Sequence, residues 1–186
     1  GLWTDIEDIP VTQFYRVTVD PTIANNYWGG AQDNGTMSGQ SVTFNSWAKI
    51  FGGDGFKAFI EPSFSGIFYA ETQNGGLYCY DPSIPSYLDF TLGIDTNDRM
   101  NWDLPYLMSP HNYSTFYCGT HKIYKHVFAP YGIWDSISTD LTKGWNGTDR
   151  KFIHTISSID ESPLSSGHLY VGTGDGNVWY SPDSGS

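Results

Sequence analysis

The apolar positions of this chain fall into short alternating or β-branched and aromatic runs, and each run ends at Gly, Pro, Asn or Asp. That is strand chemistry rather than helix chemistry. One pattern recurs in a fixed register: a proline followed seven residues later by an aromatic, at Pro21 and Trp28, Pro62 and Tyr69, Pro110 and Tyr117, and Pro163 and Tyr170. Around each pair the sequence predicts a strand, a proline turn, a second strand, a Gly/Asn/Asp turn and a third strand. A fourth strand is expected at a following aromatic: Trp47 in SWAKIF, Tyr87 in SYLDF, Trp134 in IWDSI and, for the last repeat, Trp3 in WTDI. The prolines lie 41, 48 and 53 residues apart, and periods of that size point to four-stranded blades of a β-propeller or to a solenoid. No segment sustains a 3.6-residue apolar stripe, and SISTDLTKG holds at most one helical turn.

The expected architecture is therefore all-β, one propeller domain or propeller portion with four four-stranded repeats near 11–51, 56–92, 104–138 and 153–186, the last completed by residues 2–6. Three arrangements fit four repeats: a closed four-bladed ring, an eight-bladed ring of two chains joined head to tail, and part of a larger propeller. The head-to-tail arrangement implies a homodimer. It costs little, because the same strand contacts form within or between chains.

Charge and composition narrow the partners. Nine Lys and Arg against 20 Asp and Glu give a net charge of −11, which disfavours nucleic acid and anionic membrane surfaces, both recognised through basic residues. No apolar run approaches the roughly 20 residues that span a bilayer. Cys79 and Cys118 are expected as buried free thiols rather than a disulfide. The five dispersed histidines show no zinc-site spacing, and Asp95 to Asp98 (DTND) starts like a calcium loop without its glycine and distal Glu, so no metal is expected. No nucleotide or serine-hydrolase fingerprint is present, and no cofactor is called for.

The chain resembles the Asp-box (BNR) repeat propellers, sortilin-like and glycosidase-like, in QFYRVTVD, GGAQDNGT, GGDGF, NWDLPYLMSP, STDLTKG and SSIDESPLSSGHLYVGTGDGNVWYSPDSGS. The resemblance covers nearly the whole chain. Asp-box loops have the form S-x-D-x-G-x-x-W, and Ser181, Asp183 and Gly185 supply its first part while Trp3 would supply the tryptophan. The resemblance gives these four a structural role, the Asp and Gly supporting a hairpin and the aromatic packing between sheets. It also implies an extracellular or periplasmic setting.

Chemistry is expected at the opposite end, on loops joining second to third strands or one blade to the next. Four stretches place a carboxylate in a polar turn: Gln32 to Gly35, Gly52 to Gly55, Asn101 to Asp103 and Gly172 to Gly176. Asp33 and Asp54 are the candidate catalytic pair, because glycoside hydrolysis needs two carboxyl groups flanking one bond. Gln32, Asn34, Asn101, Trp102 and Asp175 are candidate ligand-binding residues, with Trp102 available to stack on a sugar face or, alternatively, to plug the gap between blades. A sialidase-type clamp of Arg16, Arg99 and Arg150 is a weaker option, with Arg16 alone on an inner strand. Two functions follow: carbohydrate recognition with glycoside hydrolase-like chemistry as an extension, or a non-catalytic propeller that grips an extracellular protein or peptide.

Overall fold

A computed structural model describes residues 1–5, 12–43, 46–63, 65–148 and 150–185. Its fifteen strands form four antiparallel meanders in chain order. Blade 1 contains β1 (Phe14–Val19), β2 (Asn26–Ala31), β3 (Gly35–Gln40) and β4 (Trp47–Phe51). Blade 2 contains β5 (Gly55–Ile60), β6 (Phe68–Thr72), β7 (Gly76–Tyr80) and β8 (Leu88–Asp89). Blade 3 contains β9 (Tyr106–Met108), β10 (Phe116–Gly119), β11 (Ile123–His126) and β12 (Asp135–Ser136). Blade 4 has three strands, β13 (Ile156–Glu161), β14 (Leu169–Thr173) and β15 (Val178–Ser181). The helical content among the described residues is two single 3₁₀ turns, at Gln73–Gly75 and Lys151–Ile153.

The proline-aromatic repeat has a simple structural meaning. Each proline lies in the turn between the first and second strands of its blade, and each aromatic sits in the second strand. From there it faces the following blade. Trp28 meets Phe68 at 4.8 Å between ring centres, Tyr69 meets Phe116 at 4.4 Å, and Tyr117 joins the cluster around Ile156. Tyr69 and Tyr117 are buried at their seams, Trp28 is half-buried, and Tyr170 on the last blade is exposed, so apolar burial concentrates at the inner seams. Two apolar clusters result, one centred on Tyr69, Leu77, Phe90, Phe116 and Trp134 and one on Leu107, Tyr117, Ile123, Ile156, Leu169 and Val171. Cys79 and Cys118 are both free and buried in the first. Burial pushes the Cys79 thiol up to about 12, so it is inert at neutral pH.

The seam between blades 1 and 2 is tighter still. A Cβ placed on Gly30 would lie 2.1 Å from the Phe56 carbonyl oxygen, and one on Gly55 2.3 Å from that of Gly35. Backbone meets backbone here, a contact only glycine allows.

The expected sixteenth strand is not seen. Trp3 is fully exposed and belongs to no sheet, β15 is paired on one side alone, and closure of the ring is not observed. Ile6, the last residue of WTDI, and Ser186 lie outside the described residues. The Ser181–Gly185 turn does form: Ser181 Oγ donates to Asp183 Oδ1 (2.8 Å) and accepts from the Gly185 amide (2.8 Å), with Gly185 at a φ of 86°.

Candidate functional site

Within each blade the loop from second to third strand and the connection into the first strand emerge at the same end, because the strands alternate in direction. That end collects the candidate residues. The register shifts once near the start of β1, β5 and β13, and such bulges re-aim the side chains beside them. Arg16, Lys57 and Ser157 lie at or within these irregularities.

A polar pocket of about 160 Å³ lies where the inner strands converge, lined by Arg16, Lys57, Glu71, Asp103, Tyr106 and Ser158 among others, so that every blade contributes. Arg16 Nη2 pairs with Asp103 Oδ2 at 2.5 Å, and the Tyr106 hydroxyl donates to the Lys57 carbonyl at 2.9 Å. Glu71 is fully buried, and the polar groups nearest its carboxyl are the backbone of Leu104 and Lys57. Burial, with the neighbouring Asp103 charge, raises its carboxyl well above the usual range. Asp103 is also raised by burial, against the opposing pull of Arg16 and Lys57, while burial lowers the Lys57 ammonium. The pocket therefore holds a carboxylic acid that prefers its proton beside an ion-paired aspartate, an arrangement able to donate and accept a proton.

Glu71 also fixes a sign for stability. Its folded-state pKa exceeds the unfolded one, so its favourable contribution is complete below the unfolded carboxylate pKa and is lost as pH rises through the folded value. Replacing Glu71 by Gln is expected to stabilise the protein at pH 7–8, because the amide carries no charge that burial would penalise there. Below pH 4 the difference should vanish, which denaturant unfolding at the two pH values measures.

The predicted pair, Asp33 and Asp54, comes together on the neighbouring loops. Asp54 Oδ1 accepts the Asp33 amide at 2.7 Å, and the Asp54 amide donates to Gln73 Oε1 at 2.9 Å. Asp33 itself sits at a φ of 60°, a conformation Asp tolerates in turns. Gln32 accepts from the Tyr15 hydroxyl through Oε1 (2.8 Å) and from Asn34 Nδ2 through its carbonyl (3.1 Å). Burial and then the charges of Asp54 and Asp33 raise the Tyr15 phenol. Four candidates thus share one cluster. The bonds they make also tie blade 1 to blade 2.

Trp102 fills a seam on one side and is open on the other. Its ring meets Tyr15 at 5.7 Å and Phe56 at 4.9 Å, both edge-on, so it seals a seam. It also remains 38% exposed, and on its open side lies a groove of about 620 Å³ lined by Asn74, Asp98, Asn101, Lys151 and Phe152, with Thr96 and Met100. The Asn74 amide donates to the Trp102 carbonyl at 3.0 Å, fixing the loop. Asn101 lines the same groove.

Asp175 stands apart, in the seam between blades 3 and 4. It accepts from the Lys143 amide (2.7 Å) and Thr173 Oγ1 (2.5 Å), and its Oδ2 lies 3.0 Å from His154 Nδ1. Arg16 and Arg99 do not converge as a clamp: each is held by its own carboxylate, Asp103 and Asp140. Asp98 is buried, accepting from Thr120 Oγ1 and Tyr124 Oη and pairing with Lys122. No group of three or more metal-ligating side chains occurs among the described residues.

Sequence reasoning passed over Glu71, and reached Asp103 only as the carboxylate of the Asn101 to Asp103 stretch. The signal available was weak: a glutamate inside the otherwise apolar run IFYAET, in a strand whose first four residues are buried.

No family model matches the chain, and no curated protein matches it. Solved structures do. An ancestral GH74 enzyme superposes with a TM-score of 0.67 at 14% identity over 92% of this chain and 23% of its own. The GH74 xyloglucanase of Xanthomonas campestris gives 0.61 at 13% identity over 90% and 27%, and the β-propeller domain of Myceliophteria thermophila Cps50 (Swd1) gives 0.55 at 11% over 91% and 54%. The chain spans about a quarter of the length of the GH74 proteins. At these identities the likeness speaks to architecture, and it agrees with the meanders described above: this chain is built of β-propeller blades.

Proposed function

We propose that the chain is a carbohydrate-recognition propeller whose ligand lies in the groove beside Trp102. The observation that carries this reading is the groove itself, where an indole and the Phe152 ring, both substantially exposed, stand beside the amides of Asn74 and Asn101. Aromatic faces pack against the C–H faces of sugar rings while amides bond their hydroxyls. The likeness to GH74 enzymes, one of them named as a xyloglucanase, and the Asp-box resemblance of the Ser181–Gly185 turn support the same class.

Glycoside hydrolase-like chemistry is the extension of this reading, with Asp33 and Asp54 the acidic pair on the adjoining loops. If they act on substrate, Asp33→Asn and Asp54→Asn abolish release of reducing sugar from a β-glucan such as xyloglucan. A parent protein that binds without releasing sugar reduces the reading to recognition alone.

Trp102→Ala together with Phe152→Ala is expected to weaken binding to soluble xyloglucan at least tenfold, about 1.4 kcal/mol, in isothermal titration. Phe152→Ala alone leaves the Tyr15 and Phe56 seam intact, so a loss of affinity there separates ligand contact from misfolding. Unchanged affinity in both variants removes the groove from the proposal.

A further inference from the structure

The fourth blade carries the surfaces of an unfinished seam on both its outer edge and its open face. In blade 2, Tyr87, which precedes β8, reaches back to blade 1: its hydroxyl donates to the Ile50 carbonyl at 2.8 Å and its ring meets Phe51 at 4.7 Å. In blade 3, Trp134, which precedes β12, does the same to blade 2, its indole N–H donating to the Phe90 carbonyl at 2.6 Å. Among the described residues blade 4 has no such strand, and at the corresponding place lies an open, largely apolar pocket of about 280 Å³. Ile123, Ile137 and Leu141 of blade 3 and Leu169, Val171 and Trp179 of blade 4 line it, beside the Ser181–Gly185 turn. That is room for one large aromatic side chain.

The open face of the same blade is apolar too. Tyr170 occupies the repeat position whose counterparts Tyr69 and Tyr117 are 1% and 2% exposed, yet Tyr170 is 51% exposed. Val178 and Tyr180 stand beside it, paired to the same strand, at 85% and 52%. At the other end of the arc, Val17 and Val19 of β1 are 58% and 64% exposed. They project away from blade 2, opposite to Thr18, whose hydroxyl donates to the Ala58 carbonyl. An aromatic-led segment is free in the same chain, since Leu2 and Trp3 are fully exposed. Trp47, Tyr87 and Trp134 precede the start of the next blade by 8, 19 and 22 residues, and Trp3 precedes Phe14 by eleven, within that spread.

We propose that a second copy of this chain docks on blade 4. Its Leu2–Asp5 segment pairs with the free edge of β15, its Trp3 fills the pocket, and its Val17 and Val19 cover Tyr170 and Tyr180. The two surfaces differ, so the contact is head to tail, and two such contacts close a ring of two copies. The driving force is apolar burial against the mutual repulsion of two chains of charge −11, so association strengthens with added salt. This holds whether or not the groove binds sugar.

Size-exclusion chromatography with light scattering tests it on the parent protein, Trp3→Ala and Val17→Asp. Both substitutions alter residues exposed in the single chain and leave its fold intact. The expected result is twice the chain mass for the parent at micromolar concentration, with at least about 100-fold weaker association in each variant. A parent that stays at single-chain mass up to ~100 μM overturns the proposal, as does a dimer that both variants leave unchanged. The doubly substituted Leu2→Cys, Ser138→Cys protein identifies the donor: oxidation yields linked dimers on a non-reducing gel if the segment comes from the second copy. A disulfide within one chain shows self-insertion and overturns the exchange.

Discussion

Replacing Trp134 by alanine is expected to lower the unfolding free energy by about 3–5 kcal/mol, the range for truncating a fully buried large aromatic. Trp134 is 2% exposed and packs against Phe90 at 5.3 Å and His126 at 5.4 Å, while its indole N–H bonds the Phe90 carbonyl. It also belongs to the blade 2–3 cluster, so the cavity would open at a seam rather than inside one sheet. Backbone relaxation is restricted there. The Trp134 amide bonds the Leu92 carbonyl, and Gly93, at a φ of 103°, approaches so closely that a Cβ on it would lie 2.3 Å from the Trp134 carbonyl oxygen. For a domain of this size the loss corresponds to a fall in melting temperature on the order of 10 °C. Trp134→Phe keeps the ring and gives up the N–H bond, and should cost roughly 1–2 kcal/mol. Equal losses in the two variants would mean that the hydrogen bond, not the packing, secures the seam; denaturant titration followed by circular dichroism distinguishes them.

Gly30→Ala is expected to destabilise by about 3 kcal/mol, at the upper end for overpacking. The added methyl would lie within 2.3 Å of three backbone atoms of Gly55 and Phe56, and neither strand can yield without opening the blade 1–2 seam. Because β5 carries Lys57 and Arg16 lies opposite Gly30 on the paired strand β1, the substitution should also spread the pocket they line. Thermal unfolding with and without the Gly30 methyl, alongside Gly52→Ala as a control in open space, reads the effect directly. A change below 0.5 kcal/mol would show that the sheets slide apart freely.

The blades were legible because their seams repeat. Pro21 with Trp28, Pro62 with Tyr69, Pro110 with Tyr117 and Pro163 with Tyr170 mark the same turn and the same second strand four times, and local chemistry suffices to set that pattern. Asp33 and Asp54 were legible as neighbours for a related reason, since glycine-rich loops at one end of successive sheets must meet. What escaped was set by the curvature of the whole arc. Glu71 sits in a strand that is buried along nearly its whole length, and nothing local says that its side chain ends in a polar pocket with Arg16 and Asp103 arriving from other blades. Trp3 escaped for the opposite reason: its spacing matches a repeat, but pairing requires an edge that its own chain does not bring to it.

The seams of this protein also dictate how it comes apart. A body in which each blade holds only to its neighbours behaves as a one-dimensional chain of coupled units, whose interior members are clamped twice and whose end members once. Blade 4, with three strands and a single covered face, is the unit with the least holding it, so local opening begins there and runs inward toward the Trp134 seam. The groove beside Trp102 draws most of its lining from the protected side of that gradient, whereas the Lys151 and Phe152 margin moves with the end. A ligand spanning both margins would act as a clasp, transferring some of the rigidity of the interior blades to the one that frays.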